Sequence, residues 1–504
     1  MFRTRVYSGR DGANPFKAIA VLDAKGDRLR SSLKFGVWVL FIASALLALN
    51  SALTGEIPLF RRCSESAGST LKYAPAPESE IHDPDSSSPT NISHIVFGIG
   101  GSVKTWSYRR YYSELWWQPN ITRGFVWLDG EPGSGSPLPE TSPPYRISSD
   151  WKKIKDTRFQ SAVRLSRIVV DSFRAGLPGV RWFVMGDDDT VFFPDNLVSV
   201  LGKYDHREMY YVGGNSESVE QDTLHAYDMA FGGGGFAISY PLAAELVKIM
   251  DGCLDRYSYM YGSDQRVWAC VSELGVSLTR ELGFHQMDIR GDAFGLLAAH
   301  PLAPLVSLHH PESIQPLFPN KTLLQSFQTI IQAYKPDPAR IMQQSICYNK
   351  WKWSISISWG YAVQIYPRVL TPKELEMPLQ TFQTWRTLSN GPFTFNTRPV
   401  SPDPCQHPIV FYLDSVNDVA QEGVTVTTYK KLLDRPKNKC PFMNYLIAVG
   451  VEKIVVSAEK MDYQLLNQKP RRQCCEISEG FWSSTMKIKI RRCNPGEAIL
   501  MPGS

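Results

Sequence analysis

The sequence has no pair of cysteines in the CxxC spacing and no large excess of charge of either sign. Without that spacing, a structural zinc site has little support. The net charge is +5 over 504 residues. Proteins that bind nucleic acid carry concentrated basic surfaces, so we expect no nucleic-acid partner. The hydrophobic fraction of 43% and the charged fraction of 20% are typical of a globular protein with a sizeable core.

One long apolar run occupies residues 35–53. A helix of nineteen residues extends roughly 28 Å, which is enough to cross a bilayer once. The segment 1–34 before it is rich in basic residues, which favours a cytoplasmic N-terminus. A cleaved signal peptide is the alternative, although its apolar segment is usually shorter and nearer the start. We therefore predict a cytoplasmic tail over 1–34 and a single-pass membrane anchor over 35–53.

The segment after the anchor is poor in apolar side chains and rich in Ser, Pro, Glu and Asp. Too few apolar side chains can be buried to compensate for the conformational entropy lost on folding, so we predict a flexible lumenal stem over 54–93. Three glycosylation sequons, beginning at Asn91, Asn120 and Asn320, agree with a lumenal location. Six of the nine cysteines follow residue 340, which suggests disulfides there and leaves at least one thiol without a partner.

From residue 94 onward, short apolar segments alternate with amphipathic ones. Strands are predicted at 94–101 and 124–130, and helices at 104–117 and 151–175. This alternation predicts an α/β domain over 94–325, with a mostly parallel sheet that binds ligands at the carboxyl ends of its strands. The remainder, 326–504, has short strand-like runs and cysteines but no evident catalytic cluster, and is predicted to be a β-rich domain.

Three adjacent carboxylates, Asp187, Asp188 and Asp189, follow the apolar strand-like run 182–185. They repel one another, and the end of a buried strand solvates them poorly. A divalent cation held by oxygen ligands would balance them. A solvated acidic turn is the alternative, because Asp is common in turns.

Three later segments carry further candidate residues. Four glycines at 232–235 run into a predicted strand, and glycine lets the backbone approach a ligand closely, although a mobile surface loop is the alternative. Asp264 falls in the first turn of a predicted helix, where capping alone would explain it. His309 and His310 end a strand-like run at 305–310, and either imidazole could join the aspartates as a metal ligand.

Taken in order, these motifs resemble those of Fringe-type β-1,3-glycosyltransferases. The apolar strand followed by DDD and an aromatic pair is similar to their DxD motif, and Gly232, Gly233, Gly235 and Phe236 match their Gly-Gly-x-Gly-Phe segment. The closest resemblance is to plant Fringe-related proteins, which carry an extra C-terminal domain of unknown function. The resemblance covers roughly residues 94–312 and implies a GT-A-like, Rossmann-type nucleotide-sugar domain.

The resemblance also implies a role for the acidic and histidine residues. Asp189 would bind Mn²⁺ (or Mg²⁺), while Asp187 and Asp188 would hold the metal, the ribose or the sugar. His309 matches the second metal ligand of the family, with His310 as the alternative.

Asp264 matches the second acid of an acidic pair in the family and would be the catalytic base. Ser263 stands where the family has the first acid, which is a departure from the pattern. The remaining matches would contact the uridine diphosphate part of the donor: Gly100, Lys104, Arg109, Arg110, Gly232, Gly233 and Gly235. A surface arginine on a helix is often only solvated, which is the alternative for Arg109 and Arg110.

The function implied by the resemblance is an inverting transfer of a hexose or N-acetylhexosamine from a UDP-sugar to a hydroxyl of a glycan or glycoprotein. The location implied is the Golgi membrane, in a type II orientation. Two alternatives are an inactive lumenal protein that binds sugar nucleotides or glycans, favoured by Ser263, and a metal-dependent hydrolase. A hydrolase often uses two metals and more ligands than are visible here. The sequence identifies neither the donor sugar nor the acceptor.

Overall fold

The computed structural model describes residues 38, 42, 44, 88–133, 139–148, 159–349, 352–431, 440–468, 470–479 and 484–500. The chain divides into two compact units, Met1–His82 and Asp83–Ser504. In the first unit, the three described residues are helical. The described parts of the chain contain no helix with the length and apolar character needed to span a bilayer. Most of the predicted anchor and stem lies outside these parts, so both stay predictions.

The second unit contains all the elements given below. The elements up to residue 308 are β1 (Ile95–Gly100), α1 (Val103–Glu114), β2 (Arg123–Leu128), β3 (Tyr145–Ile147), α2 (Gln160–Ser166), α3 (Ile168–Arg174), β4 (Trp182–Asp187), β5 (Val191–Phe192), α4 (Pro194–Leu201), β6 (Tyr211–Gly213), α5 (Val219–Leu224), β7 (Phe236–Ser239), α6 (Tyr240–Arg256), α7 (Ser263–Glu273), β8 (Leu278–Arg280), β9 (Phe284–His285), β10 (Ile289–Gly291), α8 (Phe294–Ala298) and β11 (Ser307–Leu308).

The main sheet of this part has seven strands in the order β3-β2-β1-β4-β7-β6-β8. Strands β3, β2, β1 and β4 are mutually parallel neighbours, and β6 is parallel to β8. Strand β7 is antiparallel to both β4 and β6. The predicted mixed helix-and-strand architecture is confirmed. All six residues of β1 are buried, which is typical of a central strand that is covered on both faces.

The second half of the unit is rich in β-structure, as predicted. Its elements are α9 (Leu323–Tyr334), β12 (Gln344–Asn349), β13 (Trp353–Ser358), β14 (Ala362–Tyr366), α10 (Pro372–Glu376), β15 (Phe382–Thr384), β16 (Ile409–Val419), β17 (Val424–Lys431), α11 (Met443–Gly450), β18 (Lys453–Glu459), α12 (Tyr463–Asn467), β19 (Cys474–Glu479) and β20 (Thr485–Arg491).

Eight of these strands form one sheet in the order β12-β13-β14-β16-β17-β18-β20-β19. The sheet curls until its edge strands β12 and β19 meet, where the Cys347–Cys475 disulfide joins them. Cys474, the neighbour of Cys475, bonds instead to Cys493. Two further disulfides, Cys405–Cys440 and Cys253–Cys270, complete the set among the described residues. The predicted disulfides in the second half are therefore present.

Several predicted boundaries differ from the structure. The predicted helix over 151–175 is two short helices separated at Arg167, and residues 151–158 lie outside the described part. The strand predicted at 305–310 is limited to β11, because the backbone at His310 is left-handed, with φ of 50°, and Pro311 follows.

Candidate metal centre and adjoining cavity

The three aspartates occupy a tight turn between β4 and β5. The side chains of β4 before the turn are buried, and a Cβ at Gly186 would come within 2.8 Å of the Phe192 ring. Thr190 stabilises the turn, because its Oγ1 accepts a hydrogen bond from Asp187 N at 2.9 Å and donates one to Gly233 O at 2.7 Å. The turn is thus fixed to the glycine segment by one hydroxyl.

Helix α1 supplies the positive charge for this turn. Asp129 accepts a hydrogen bond from Val103 N at 2.8 Å and thereby caps the start of the helix. Thr105 and Arg109 lie four residues apart, so they share one helix face. Thr105 Oγ1 donates to Asp188 Oδ2 at 2.7 Å, and Arg109 Nη1 lies 3.1 Å from Asp188 Oδ1. Asp188 is therefore buried, and both of its oxygens already have partners within the protein.

Arg109 also reaches beyond Asp188. Its Nη2 lies 3.3 Å from Asp189 Oδ2 and 2.9 Å from Glu312 Oε2. Arg109 thus contacts three carboxylates in this structure, and its contact with the uridine diphosphate stays a prediction. Arg110 contacts Glu114 at 2.7 Å on a different face of the helix.

Asp187, Asp189 and His309 form the second part of the site. His309 Nε2 lies 3.1 Å from Asp189 Oδ1 and 3.7 Å from Asp187 Oδ2. One ligand atom from each of the three residues lies within 4.8 Å of the others. The Nδ1 of His309 is 3.2 Å from the carbonyl oxygen of Gln286, an arrangement that leaves Nε2 free to bind a metal.

Burial and the neighbouring charges set the protonation of this cluster. Partial burial raises the pKa of Asp187 to about 7, although 40% of its side chain is exposed, and the charge of His309 opposes this shift. Burial would also raise the pKa of Asp189, but His309 and Arg109 outweigh it and hold that pKa well below its usual value. Burial opposes the charged form of His309, yet the Asp189 carboxylate outweighs it and raises the His309 pKa to about 9. Without a metal, Asp189 and His309 are therefore an ion pair.

The residues fit a divalent cation. Asp189 Oδ1 is buried and lies 3.1 Å from His309 Nε2, so a proton occupies the space between these two atoms in the metal-free chain and a cation would occupy it in the loaded chain. Carboxylates suit Mn²⁺ and Mg²⁺, and imidazole admits transition metals, so this donor set fits Mn²⁺ best. The other group of potential ligands in the described residues, Cys474, Cys493 and Glu497, contains two cysteines already joined in a disulfide.

The glycine segment packs directly against the metal ligands. A Cβ at Gly233 would lie 2.0 Å from Cε1 of His309, so only glycine fits. Gly235 has φ of +85°, a conformation that favours glycine, and a Cβ there would clash with Phe192. At Gly232, the nearest atom to such a Cβ would be Cβ of Asp264, at 3.7 Å.

Asp264 lies beside this segment, in the first turn of α7. Its Oδ2 accepts a hydrogen bond from Gly232 N at 3.3 Å. Asp264 and Asp187 line the same small cavity of about 30 Å³. Asp264 also lines a larger cavity of about 340 Å³ together with Tyr261 and Asp288. The structure thus brings the predicted base next to the predicted metal ligands.

Three other predicted residues lie in different surroundings. Gly100 pairs with Asp187 across β1 and β4, and a Cβ there would be 3.3 Å from Asp187 Oδ1. Lys104 is exposed in the first turn of α1. His310, the alternative ligand, directs its Nδ1 to Asp288 Oδ1 at 3.3 Å, away from the aspartate turn.

Sequence reasoning missed several residues at this site. Thr190 directly follows the aspartates and could have been found from its position alone. Gln286 contacts His309 through its backbone carbonyl and accepts a hydrogen bond from Gly234 N through its side chain, and no local sequence pattern signals either contact. Trp385 lies almost two hundred residues after the turn, yet its ring stacks on His310 with centroids 4.2 Å apart. Nothing in the local sequence around Trp385 indicates that contact.

Comparison with known proteins gives a family without an assigned activity. The family described as "Protein of unknown function, DUF604" matches residues 221–475, just over half of the chain. The matched range includes the glycine segment, Asp264, His309 and Trp385, and continues across the predicted boundary at 325. No curated protein gives a significant match.

Proposed function

Because the chain belongs to the DUF604 family, whose description names no activity, we propose its function from its own residues. The chain is a metal-dependent inverting glycosyltransferase of the Fringe type, with a GT-A-like nucleotide-sugar domain. It transfers a hexose or N-acetylhexosamine from a UDP-sugar to a hydroxyl of a glycan or glycoprotein, with a β-1,3 linkage. The observation that supports this most is the cluster of Asp187, Asp189 and His309 beside Asp264.

In this proposal the metal ligands, the base and the glycine segment have separate roles. Asp187, Asp189 and His309 hold Mn²⁺, which when bound stabilises the negative charge that grows on the diphosphate leaving group. Asp264 accepts the proton of the acceptor hydroxyl as the sugar is transferred. The glycine segment lets the backbone approach the donor, because no side chain intervenes.

The cavity of about 340 Å³ next to Asp264 is the proposed acceptor site. Its walls combine aromatic rings with carboxylates and amides, including Phe231, Tyr261, Gln221 and Asp288. Such walls suit the hydroxyls and apolar faces of a sugar. In the proposed reaction, a base in this wall would take the proton of an acceptor hydroxyl that attacks opposite the leaving diphosphate, which inversion requires.

The direct test is a screen of UDP-sugars with the full-length chain, in which Mn²⁺-dependent release of UDP is measured. We expect release with at least one UDP-sugar, and loss of release in Asp189→Ala and His309→Ala. Asp205→Ala is the matched control, because Asp205 pairs with Arg207 on the surface and is not part of the cluster. UDP release that persists in chelator, or in Asp189→Ala, would refute the metal assignment. Binding of UDP-sugar without any turnover would favour the inactive binding protein.

We also propose a location in the Golgi membrane, with residues 54–504 in the lumen. The support is the apolar run 35–53 with basic residues before it, together with the disulfides of the second half. In sealed microsomes, protease should spare the chain after about residue 55. Digestion of the C-terminal half without detergent would contradict this orientation.

A further inference from the structure

Four side chains stack in a row that ends at the metal ligand His309. The guanidinium of Arg290 lies 4.5 Å from the Trp385 ring centroid. The Trp385 ring is also parallel to the His310 ring within 7°, with centroids 4.2 Å apart. His310 in turn lies 3.8 Å from His309, centroid to centroid.

The segment that carries Trp385 is fixed to the first half of the chain. Strand β15, which ends at Thr384, pairs antiparallel with β10. Arg290 Nε donates a hydrogen bond to Trp385 O at 2.8 Å. The Glu220 carboxylate accepts from Arg386 N at 2.6 Å and from Thr387 Oγ1 at 2.9 Å. The backbone before and after Trp385 is thus fixed to the first half of the chain.

The ring orientation of His309 depends on its contacts, the first of which is the Asp189 carboxylate 3.1 Å from Nε2. Rotation of an imidazole about its last side-chain bond is broad and has only weak minima. One hydrogen bond, from Nδ1 to Gln286 O, and the backbone of Gly233 restrain the ring from two directions. The His310 ring covers a further side, and Asp288 and Trp385 hold His310 in place.

From this geometry we propose that Trp385 is a positioning residue for the metal centre. It fixes the ring of His310 and, through that ring, the direction of His309 Nε2 toward Asp189 and Asp187. The β-rich half of the chain is therefore part of the site, although it supplies no ligand. The inference rests on the proposed metal site, but it does not depend on which reaction the site carries out.

The test is the Mn²⁺ affinity of full-length variants, measured from the electron paramagnetic resonance signal of the Mn²⁺ that remains free. Loss of a residue that orients a ligand typically weakens metal binding by about 10–100-fold, and we expect this for Trp385→Ala. Trp385→Phe keeps a flat ring against His310 and should bind within a few-fold of wild type. Trp268→Ala removes a tryptophan from α7 and is the matched control, with affinity expected to be unchanged.

A purely structural role predicts a different pattern. If Trp385→Ala binds Mn²⁺ like wild type, even with a higher acceptor KM, Trp385 is only a wall of the cavity and the proposal fails. A folded Phe variant that binds as weakly as the Ala variant would also overturn it. Should Trp385→Ala not fold, Glu220→Ala releases the same segment without changing a ring, and unaltered Mn²⁺ affinity there would count against the proposal.

The outcomes also separate this inference from the proposed function. A wild-type chain that binds no Mn²⁺ removes the metal site and this inference with it. A chain that binds Mn²⁺ in a Trp385-dependent manner, yet releases no UDP from any UDP-sugar, supports the inference and contradicts the glycosyltransferase.

Discussion

The three adjacent aspartates have three different surroundings. Asp188 has a 4% exposed side chain, pairs with Arg109 and accepts a hydrogen bond from Thr105. Asp189 is equally buried but divides its two oxygens between Arg109 and His309. Asp187 is 40% exposed and faces His309 alone among these cations. Burial and cationic partners, rather than order in the sequence, therefore decide which carboxylates are available to a metal.

We expect Mn²⁺ affinity to rise with pH. The pKa of His309 in the folded, metal-free chain is about 9, above its ordinary 6.5. Its proton therefore stabilises the metal-free fold fully below pH 6.5, and this contribution is lost as the pH rises through about 9. A metal bound at Nε2 must displace that proton, so binding becomes easier across the same window. Below about pH 7, the proton on Asp187 adds to this competition.

Calorimetric titration in buffers of different ionisation enthalpy would count the protons that Mn²⁺ releases. Between about pH 7 and 9 we expect close to one proton per metal, and more below 7. The metal-induced rise in melting temperature should grow in the same direction. An affinity that stays flat from pH 6.5 to 9 would show that His309 is not a ligand.

At Asp264, replacement by Asn should separate donor binding from catalysis. Asn keeps an oxygen that can accept the hydrogen bond from Gly232 N, but it cannot take a proton. Transfer should fall by roughly 10²–10⁴, the usual contribution of a general base, while UDP-sugar affinity stays close to normal. Donor affinity, turnover and melting temperature are measured together on the Asn and Ala variants.

Should Asp264 only cap its helix, the Ala variant would lose about 0.5–2 kcal/mol of stability and keep its activity. Near-normal sugar transfer by Asp264→Asn would mean that another carboxylate is the base. Asp228 is then the first candidate. Glu273 is less suited, because it lies at the far end of α7 and pairs with Arg256.

At the scale of elements, the direction of β7 determines the composition of the site. Strand β7 is antiparallel to β4, so Phe236 at its start pairs with Met185 near the end of β4. The glycines that precede β7 therefore lie next to the aspartates that follow β4. A parallel β7 would place the two segments at opposite edges of the sheet.

The glycine segment offers a matched pair of substitutions. Gly233→Ala would place a methyl group 2.0 Å from Cε1 of His309, so the histidine must move and Mn²⁺ binding should be lost. Gly232→Ala meets no atom closer than 3.7 Å and should bind Mn²⁺ normally. The Mn²⁺ affinity and the melting temperature are measured for both variants and compared. Equal affinity in both would mean that His309 adjusts freely.

At the scale of the whole molecule, the two predicted globular domains share one core. A single apolar cluster contains Phe294 and Phe318 from the first half together with Trp353, Ile355 and Phe411 from the second. Burying each such side chain contributes about 1.5–3 kcal/mol. Loss of five such side chains would remove about 8–15 kcal/mol, which is comparable to a typical net stability of about 5–15 kcal/mol.

A chain that ends at residue 325 should therefore lose its cooperative unfolding transition and bind a hydrophobic dye such as ANS. A chain that begins at Asp83 is the control, because Asp83–Ser504 is a compact unit, and it should melt like the full-length protein. Calorimetry and dye binding are measured on both shortened chains. A cooperative transition in the shorter chain would show that the first half folds without the second.

The sequence predicted the strands that carry the site, because their apolar runs and glycine stops are local signals. It also predicted the proximity of the aspartates and the glycine segment through the resemblance. It could not predict which of the three aspartates contact Arg109 and which contact His309, since that depends on which face of α1 meets the turn. Nor could it predict Trp385, because the contact between β15 and β10 links residues almost a hundred positions apart.

The uneven exposure of the metal ligands also has a kinetic consequence. His309 and Asp189 are 4% and 2% exposed, whereas Asp187 is 40% exposed, so we expect an ion to enter past Asp187. In the proposed reaction, the diphosphate of the donor would bind on that same side. We then expect an ordered addition, with the ion before the sugar nucleotide, and release of the ion only after the diphosphate has left.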